Sequence, residues 1–423
     1  MPWSMGQLQV SPNGRRLQHA DGTPFFWLGD TAWELFHRLN FEEVETYLDA
    51  RQRWGINVIQ AVGLAELDGI RVPNRYGELP LIDEDPTRLN PTYWDYVDEV
   101  IVAAAQRGMY VGLLPTWGDK INRDWGAGPV ILDEANAFQF GELVAARFNH
   151  RPNLIWVNGG DRDPKDRRAV YDALARGLRT ASTPRLMTFH PCGCRSSAMD
   201  FHGAEWLDLN MQQSGHGHRE EVPDRMMEED WNRLPIKPVL DGEPRYENHA
   251  PFADSQGCHM DGDDARKAAY MTVFSGAAGV TYGCHAVWQF ASEAAFPINR
   301  PIGFWHESMD LPGIRYYAVL KELMLSLPFL DLLPAPDRVR EASMDPWRAP
   351  RVLATDDGDV IAIYLPQGGT VQVRLDGPAT VQWVNPRNGS QSQPVPVEEG
   401  RITSPGGTSE GLDYVAIVRH MRA

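Results

Sequence analysis

"NLIWVNGGDRDP", Asn153 to Pro164, is the stretch that decides the fold. Leu154, Ile155, Trp156 and Val157 are apolar without alternation, so the strand they form is buried on both faces. Parallel strands covered by helices have that property. Asn158, Gly159, Gly160, Asp161, Arg162 and Asp163 follow as a polar turn, and Pro164 opens a helix, with Asp163 placed to cap it. "KPVLDGEPRYE", Lys237 to Glu247, has the same build: a short apolar run stopped by Asp241, Gly242 and Glu243. Two buried strands therefore end in carboxylates set among glycines.

Working outward, eight such runs alternate with helical patterns: Phe25–Gly29, Asn57–Val62, Tyr110–Pro115, Leu154–Asn158, Arg185–Phe189, Leu207–Met211, Pro238–Asp241 and Val280–Gly283. Helices are expected after Asn40, after Asn90 with Pro91 at the first helical position, across Leu132–Asn149, after Pro164, and across Gly262–Gly279. Strand–helix alternation requires parallel strands with helical crossovers. Eight units in about 300 residues fit a closed (β/α)8 barrel. A doubly wound open sheet is the alternative, but no GxGxxG or Walker loop follows the first strand.

Past "LPFLDLLPAPDRV", Leu327–Val339, helical periodicity stops. "DVIAIYLP", "GTVQVRLDG", "ATVQWVNP" and "DYVAIVRH" alternate apolar and polar residues between Gly-, Pro- and Asn-rich turns. This predicts an α/β chain with a (β/α)8 barrel over residues 1–331 and an antiparallel β-sandwich over 332–423 that packs on it.

The chain has 423 residues and a formal charge of −17. With no basic run, a nucleic-acid partner is not expected. No apolar stretch reaches the length of a membrane span, and no basic segment followed by an apolar core opens the chain, so a cytoplasmic location is expected unless a leader has been removed. Four cysteines, with Cys192 and Cys194 too close for an ordinary disulfide, read as reduced thiols.

In a (β/α)8 barrel, side chains just past the strand ends build the site. Those positions hold Asp30 and Trp33, Gln60 and Glu66, Trp117 and Asp119, Asn158 and Asp161, His190, Gln212, Ser214 and His216, Asp241, Glu243, Arg245 and Tyr246, and His285 and Trp288. Two carboxylates with aromatic platforms and many donors are the equipment of glycoside hydrolysis. Asp161 and Glu243 form the expected catalytic pair. Asp30, Trp33, Trp117, Asn158, His190, Gln212, Arg245, Tyr246, His285 and Trp288 are the expected contacts to an oligo- or polysaccharide. No cofactor or metal is expected, although "HGH", His216–His218, resembles a two-histidine metal clip. Plainer readings exist for each residue: tryptophans and histidines as core, Arg245 as a counter-ion, and Asp241 as a turn cap or a support for Glu243.

"LGDTAWELF", "NVIQAVGL", "WVNGGDRDP", "LDGEPRYE" and "GVTYGCHAVW" together resemble the apiosidase-like glycoside hydrolases, over about residues 5 to 330. The resemblance implies a retaining glycosidase on a (β/α)8 barrel, with Asp161 as acid/base and Glu243 as nucleophile, acting on a plant or microbial glycan such as an apioside or another furanoside. The tail resembles the small sandwich, labelled collagen-binding, that follows such barrels. The alternatives are a non-catalytic sugar-binding protein on the same scaffold and a metal-dependent barrel hydrolase.

Overall fold

In the computed structural model, residues 1–217, 224–252, 258–295, 297–340, 345–406 and 412–421 are described. The predicted strands form β1 (Trp27–Thr31), β2 (Val58–Leu64), β3 (Tyr110–Thr116), β4 (Leu154–Gly159), β5 (Met187–His190), β6 (Asn210–Gln213), β7 (Val239–Asp241) and β8 (Gly279–Tyr282). Every residue in them is buried, as the unbroken apolar runs require. They pair in parallel in the order β5-β4-β3-β2-β1-β8-β7-β6. Between β5 and β6 the ring is completed by Asp208 N–H to Met187 O at 2.9 Å and by the Thr188 hydroxyl to Leu209 O at 2.8 Å. Arg195–Ser196 adds a short antiparallel segment beside β6.

The helices around the strands include the crossovers α1 (Phe41–Arg53), α2 (Pro91–Gln106), α3 (Ala137–Phe148), α4 (Arg168–Leu178), α5 (Asp224–Trp231) and α6 (Gly262–Phe274), and α7 (Pro312–Leu325) after the last strand. Asn40 caps α1 in a full capping box with Glu43, and Asn90 caps α2 ahead of Pro91. Asp163 accepts from Lys165 N at 3.1 Å where the β4–α4 connection turns.

The first strand begins two residues later than predicted, at Trp27 rather than Phe25. Pro24–Phe25 belongs instead to an antiparallel meander with Leu8–Val10 and Leu17–His19. Phe25 and His19 pack against Tyr110 there and seal the N-terminal end of the barrel. Inside the barrel, Trp27, Val58, Leu114, Val157, Met211 and Leu240 form one core, which continues upward into Trp33, Trp117, Tyr246 and Trp288. The aromatic residues of the mouth are thus the top of the barrel's own filling.

Past α7, β9 (Arg351–Ala354), β10 (Val360–Leu365), β11 (Thr370–Val373), β12 (Ala379–Val384), β13 (Arg401–Thr403) and β14 (Tyr414–His420) build two antiparallel sheets. Val352, Ile361, Ile363, Val371, Val381 and Ile402 fill the space between them. The Asp413 carboxylate, fully buried, receives Arg266 of α6 through two bonds of 3.0 Å and Tyr364 of β10 at 3.0 Å. Tyr270 and Phe274 of α6 pack on the Tyr364 ring, at 5.2 and 5.8 Å between centroids.

Candidate active site

The end of β4 answers why a buried strand stops at a carboxylate among glycines. Asn158 turns away from the barrel axis and donates to Tyr171 O of α4 at 2.9 Å. Gly159, Gly160 and Asp161 then have φ of 94°, 117° and 50°. A Cβ at Gly159 would meet His190 O at 2.3 Å, and one at Gly160 would meet Gly118 N at 2.7 Å. Only glycine fits both the conformation and the contact. The turn is fixed by Gly160 N–H to His190 O at 3.0 Å and by Gly118 N–H to Gly160 O at 3.1 Å. It delivers the Asp161 carboxyl to the mouth with its side chain 22% exposed.

At β7, Asp241 Oδ1 accepts from Ser214 N at 3.3 Å and Glu243 N at 3.2 Å, so it caps the turn that aims Glu243 inward. Glu243 is only 5% exposed. Its Oε2 lies 3.0 Å from His190 Nε2 and its Oε1 lies 3.8 Å from His216 Nε2. The Tyr246 hydroxyl donates to it and accepts from Trp33 Nε1 at 3.2 Å. Asp161 N–H points at the other His190 nitrogen, Nδ1, at 3.4 Å. One imidazole therefore stands against both carboxyl-bearing turns. His190 Nε2 and Glu243 Oε2 are close but not aligned, and both are buried without a hydrogen-bond partner. A ligand hydroxyl reaching this floor would find a donor and an acceptor waiting.

Burial is the main electrostatic force in the site. It pushes the Asp161 carboxyl up to about 7, with the charge of Glu243 adding to it and Arg162 opposing. It raises the Glu243 carboxyl as well, against the Tyr246 hydrogen bond. Burial holds His190 and His216 down near 4, so both imidazoles are neutral at neutral pH. The Glu243 charge raises Asp161, so ionising Glu243 holds the remaining proton on Asp161, which leaves one carboxylate and one acid in the site.

Both carboxyls open onto one cavity of about 550 Å³, walled by Trp33, Trp117, Trp125, Tyr246, Phe252 and Trp288. The Trp33 and Trp117 rings lie 5.0 Å apart, and Trp33 meets His190 edge-on at 5.1 Å. Trp288 donates to His285 Nδ1 at 3.1 Å, so His285 stands behind the wall and orients it. Asp161, Glu243, Trp33, Trp117, Tyr246 and Trp288 thus come together as expected, with His190 and His285 packed against them.

Four expected contacts lie elsewhere. Asp30 is fully buried toward α1, bonded to Tyr47 and, at 2.7 Å, to Arg51. Asn158 ties β4 to α4, as above. Gln212 donates to Asp230 of α5 at 2.9 Å, while its neighbour Gln213 lines the cavity and bonds Asp161. Arg245 is buried with its guanidinium 4.9 Å from the Trp347 ring. In each case the pleat or the turn sends the side chain outward.

Glu66, Trp125, Gln213, His249, Phe252 and Asn299 also line the cavity. Glu66 stood among the strand-end residues, and β-strand parity could have selected Gln213. His249 and Phe252 sit in the long β7–α6 loop and carry no local signal. His216 is a wall residue stacked on Tyr246, at 4.5 Å between centroids. Its partner in the clip motif, His218, lies outside the described residues. No cluster of three His, Cys, Asp or Glu side chains suited to a metal occurs among the described residues. Cys192 and Cys194 line the rim, no disulfide joins any of the four cysteines, and burial pushes the Cys192 thiol up to about 11. No helix among the described residues is long and apolar enough to cross a membrane.

The family described as "Apiosidase-like, catalytic domain" matches residues 11–331, and the one described as "Putative collagen-binding domain of a collagenase" matches residues 334–419. A solved structure titled glycoside hydrolase is 32% identical, with a TM-score of 0.90 over 99% of this chain and 98% of its own. A glycoside hydrolase family 5 structure from Bacteroides vulgatus is 31% identical, with a TM-score of 0.89 over 99% of this chain and 95% of its own. No curated protein matches the chain.

Proposed function

We propose how this chain, which belongs to the apiosidase-like glycoside hydrolase family, breaks its glycosidic bond: by double displacement with Glu243 as nucleophile and Asp161 as acid/base. A Glu243 carboxylate oxygen attacks the anomeric carbon, the bond from that carbon to the leaving oxygen breaks, and the Asp161 carboxyl gives its proton to that oxygen. Water then gives a proton to the Asp161 carboxylate while its oxygen attacks the same carbon. The glycosyl–Glu243 ester bond breaks and the carboxylate returns.

The observation that carries this reading is the meeting of the two carboxyls in one aromatic-walled cavity, with His190 against both turns. Depth supports the division of roles. Glu243 sits at the floor, below where a sugar ring would lie, and the more exposed Asp161 stands at the side where leaving group and water pass. Trp33, Trp117 and Trp288 line the cavity with apolar surface suited to the C–H face of a sugar. The substrate is a glycan, and apiosides or other furanosides from plant or microbial sources are the class to try first.

The test is mechanism-based labelling. A screen of aryl glycosides, furanosides included, identifies a cleaved sugar, and its 2-fluoro analogue is then incubated with the protein. Mass analysis of peptides is expected to find the glycosyl group on Glu243. A label on Glu66 or Asp241, or near-full turnover by Glu243→Gln, would contradict the assignment.

A further inference from the structure

We propose that Glu66 is a positioning residue for the acid/base, acting through the Arg162 guanidinium; this deepens the reading above and rests on it. Asp161 holds a left-handed backbone conformation at the end of three successive positive-φ residues. Non-glycine residues keep such a conformation only where the surroundings over-determine it. Gly160 is pinned from β3 and β5, as described, and Arg162 pins Asp161 itself. Its side chain is fully buried and folds back, so that Nη1 donates to Asp161 O at 2.7 Å.

The other guanidinium nitrogen, Nη2, donates to Trp125 O at 2.7 Å and to Glu66 Oε1 at 3.1 Å. The Trp125 ring covers the guanidinium at 4.0 Å, and a Cβ on Gly126 would press within 2.7 Å of Nη2. One buried cation therefore joins the ends of β2, β3 and β4. Glu66 lines the same cavity with its side chain 13% exposed.

Asp161 Oδ2 lies 3.4 Å from Nη1, too long for a strong ion pair. Glu66 keeps it so by holding the other side of the guanidinium. Without Glu66, the Asp161 carboxylate becomes the nearest carboxylate for a buried cation. A carboxylate in a full ion pair is held ionised and turned from the leaving oxygen, so it no longer donates a proton. The remaining groups facing this pair are Glu243, His190 and Gln213 around Asp161, and Asp119, with Lys120 bound to it, beside Arg162.

The test compares aryl glycosides of the cleaved sugar whose leaving groups range from dinitrophenol to unsubstituted phenol. Glu66→Ala is expected to lose about 10²-fold in kcat/KM on the poorest leaving group, the size of a misplaced catalytic group, and little on the best. Glu66→Gln, which retains an acceptor for Arg162, is expected to recover most of that loss. Glu66→Asp, too short to reach the guanidinium, follows Ala and serves if the Ala variant does not fold. A loss equal across all leaving groups, or Gln no better than Ala, overturns the proposal. Asp161→Ala is run on the same series with azide. If it shows neither leaving-group dependence nor a glycosyl azide product, the acid/base assignment itself falls. If it shows both while the Glu66 variants show no gradient, only the role of Glu66 falls.

Discussion

Glu243 occupies a place that works against folding. Its carboxyl is raised above its ordinary 4.5, chiefly by burial. The folded state therefore binds that proton more tightly than the unfolded state does. The resulting stability is fully present below pH 4.5 and is lost as pH rises through the raised folded-state value. Glu243→Gln carries no such charge, so it is predicted to melt above the parent protein at pH 8, with the gap closing toward pH 4.5. Melting curves across that range decide the matter, and a variant no more stable than the parent at pH 8 refutes it. The histidines work in the opposite sense. His190 and His216 are held down near 4, so their contribution is lost as pH falls from 6.5 toward 4. Activity follows the acid: kcat/KM is predicted to fall on the alkaline side through about pH 7, as the Asp161 proton is lost. An activity flat to pH 9 would contradict it.

At the scale of the element, strand existence and order were legible because unbroken apolar runs have one ready use, burial on both faces. The side to which each strand-end residue points was not legible. Asp30 and Gln212 sit at the expected strand ends, yet the pleat turns them toward α1 and α5. The buried Asp30–Arg51 pair yields a prediction: Asp30→Asn strands a buried guanidinium and should cost about 3–5 kcal/mol of stability, with KM unchanged in the protein that remains folded. Chemical denaturation and steady-state kinetics measure the two halves separately, and a raised KM would return Asp30 to the substrate site. The glycine turn is the opposite case. Gly159 and Gly160 announced a special backbone in the sequence, and the contacts at 2.3 and 2.7 Å explain it. Gly160→Ala is accordingly predicted to abolish measurable turnover by displacing Asp161, and retention of more than a tenth of the activity would refute that.

Across the whole molecule, the alternating pattern disclosed the C-terminal sheets, but nothing local foretold how they dock. Arg266 and Asp413 are 147 positions apart, and each alone reads as a surface charge. Their buried pairing, with Tyr270 and Phe274 against Tyr364, places the sandwich on α6, the helix between β7 and β8. We therefore expect calorimetry to show one unfolding transition for the full chain, with Asp413→Ala lowering it; two well-separated transitions would show that the sheets are only tethered. The same long-range closure of the barrel lets residues 82 positions apart share a cavity, and on that sharing the chemistry depends. Its most direct test is the configuration of the first-formed sugar, followed by proton NMR during hydrolysis of an aryl glycoside. Double displacement at Glu243 predicts that the product appears first with the anomeric configuration of the substrate and only then mutarotates. Initial appearance of the inverted anomer would contradict the account, because it would require water, not Glu243, to attack the anomeric carbon.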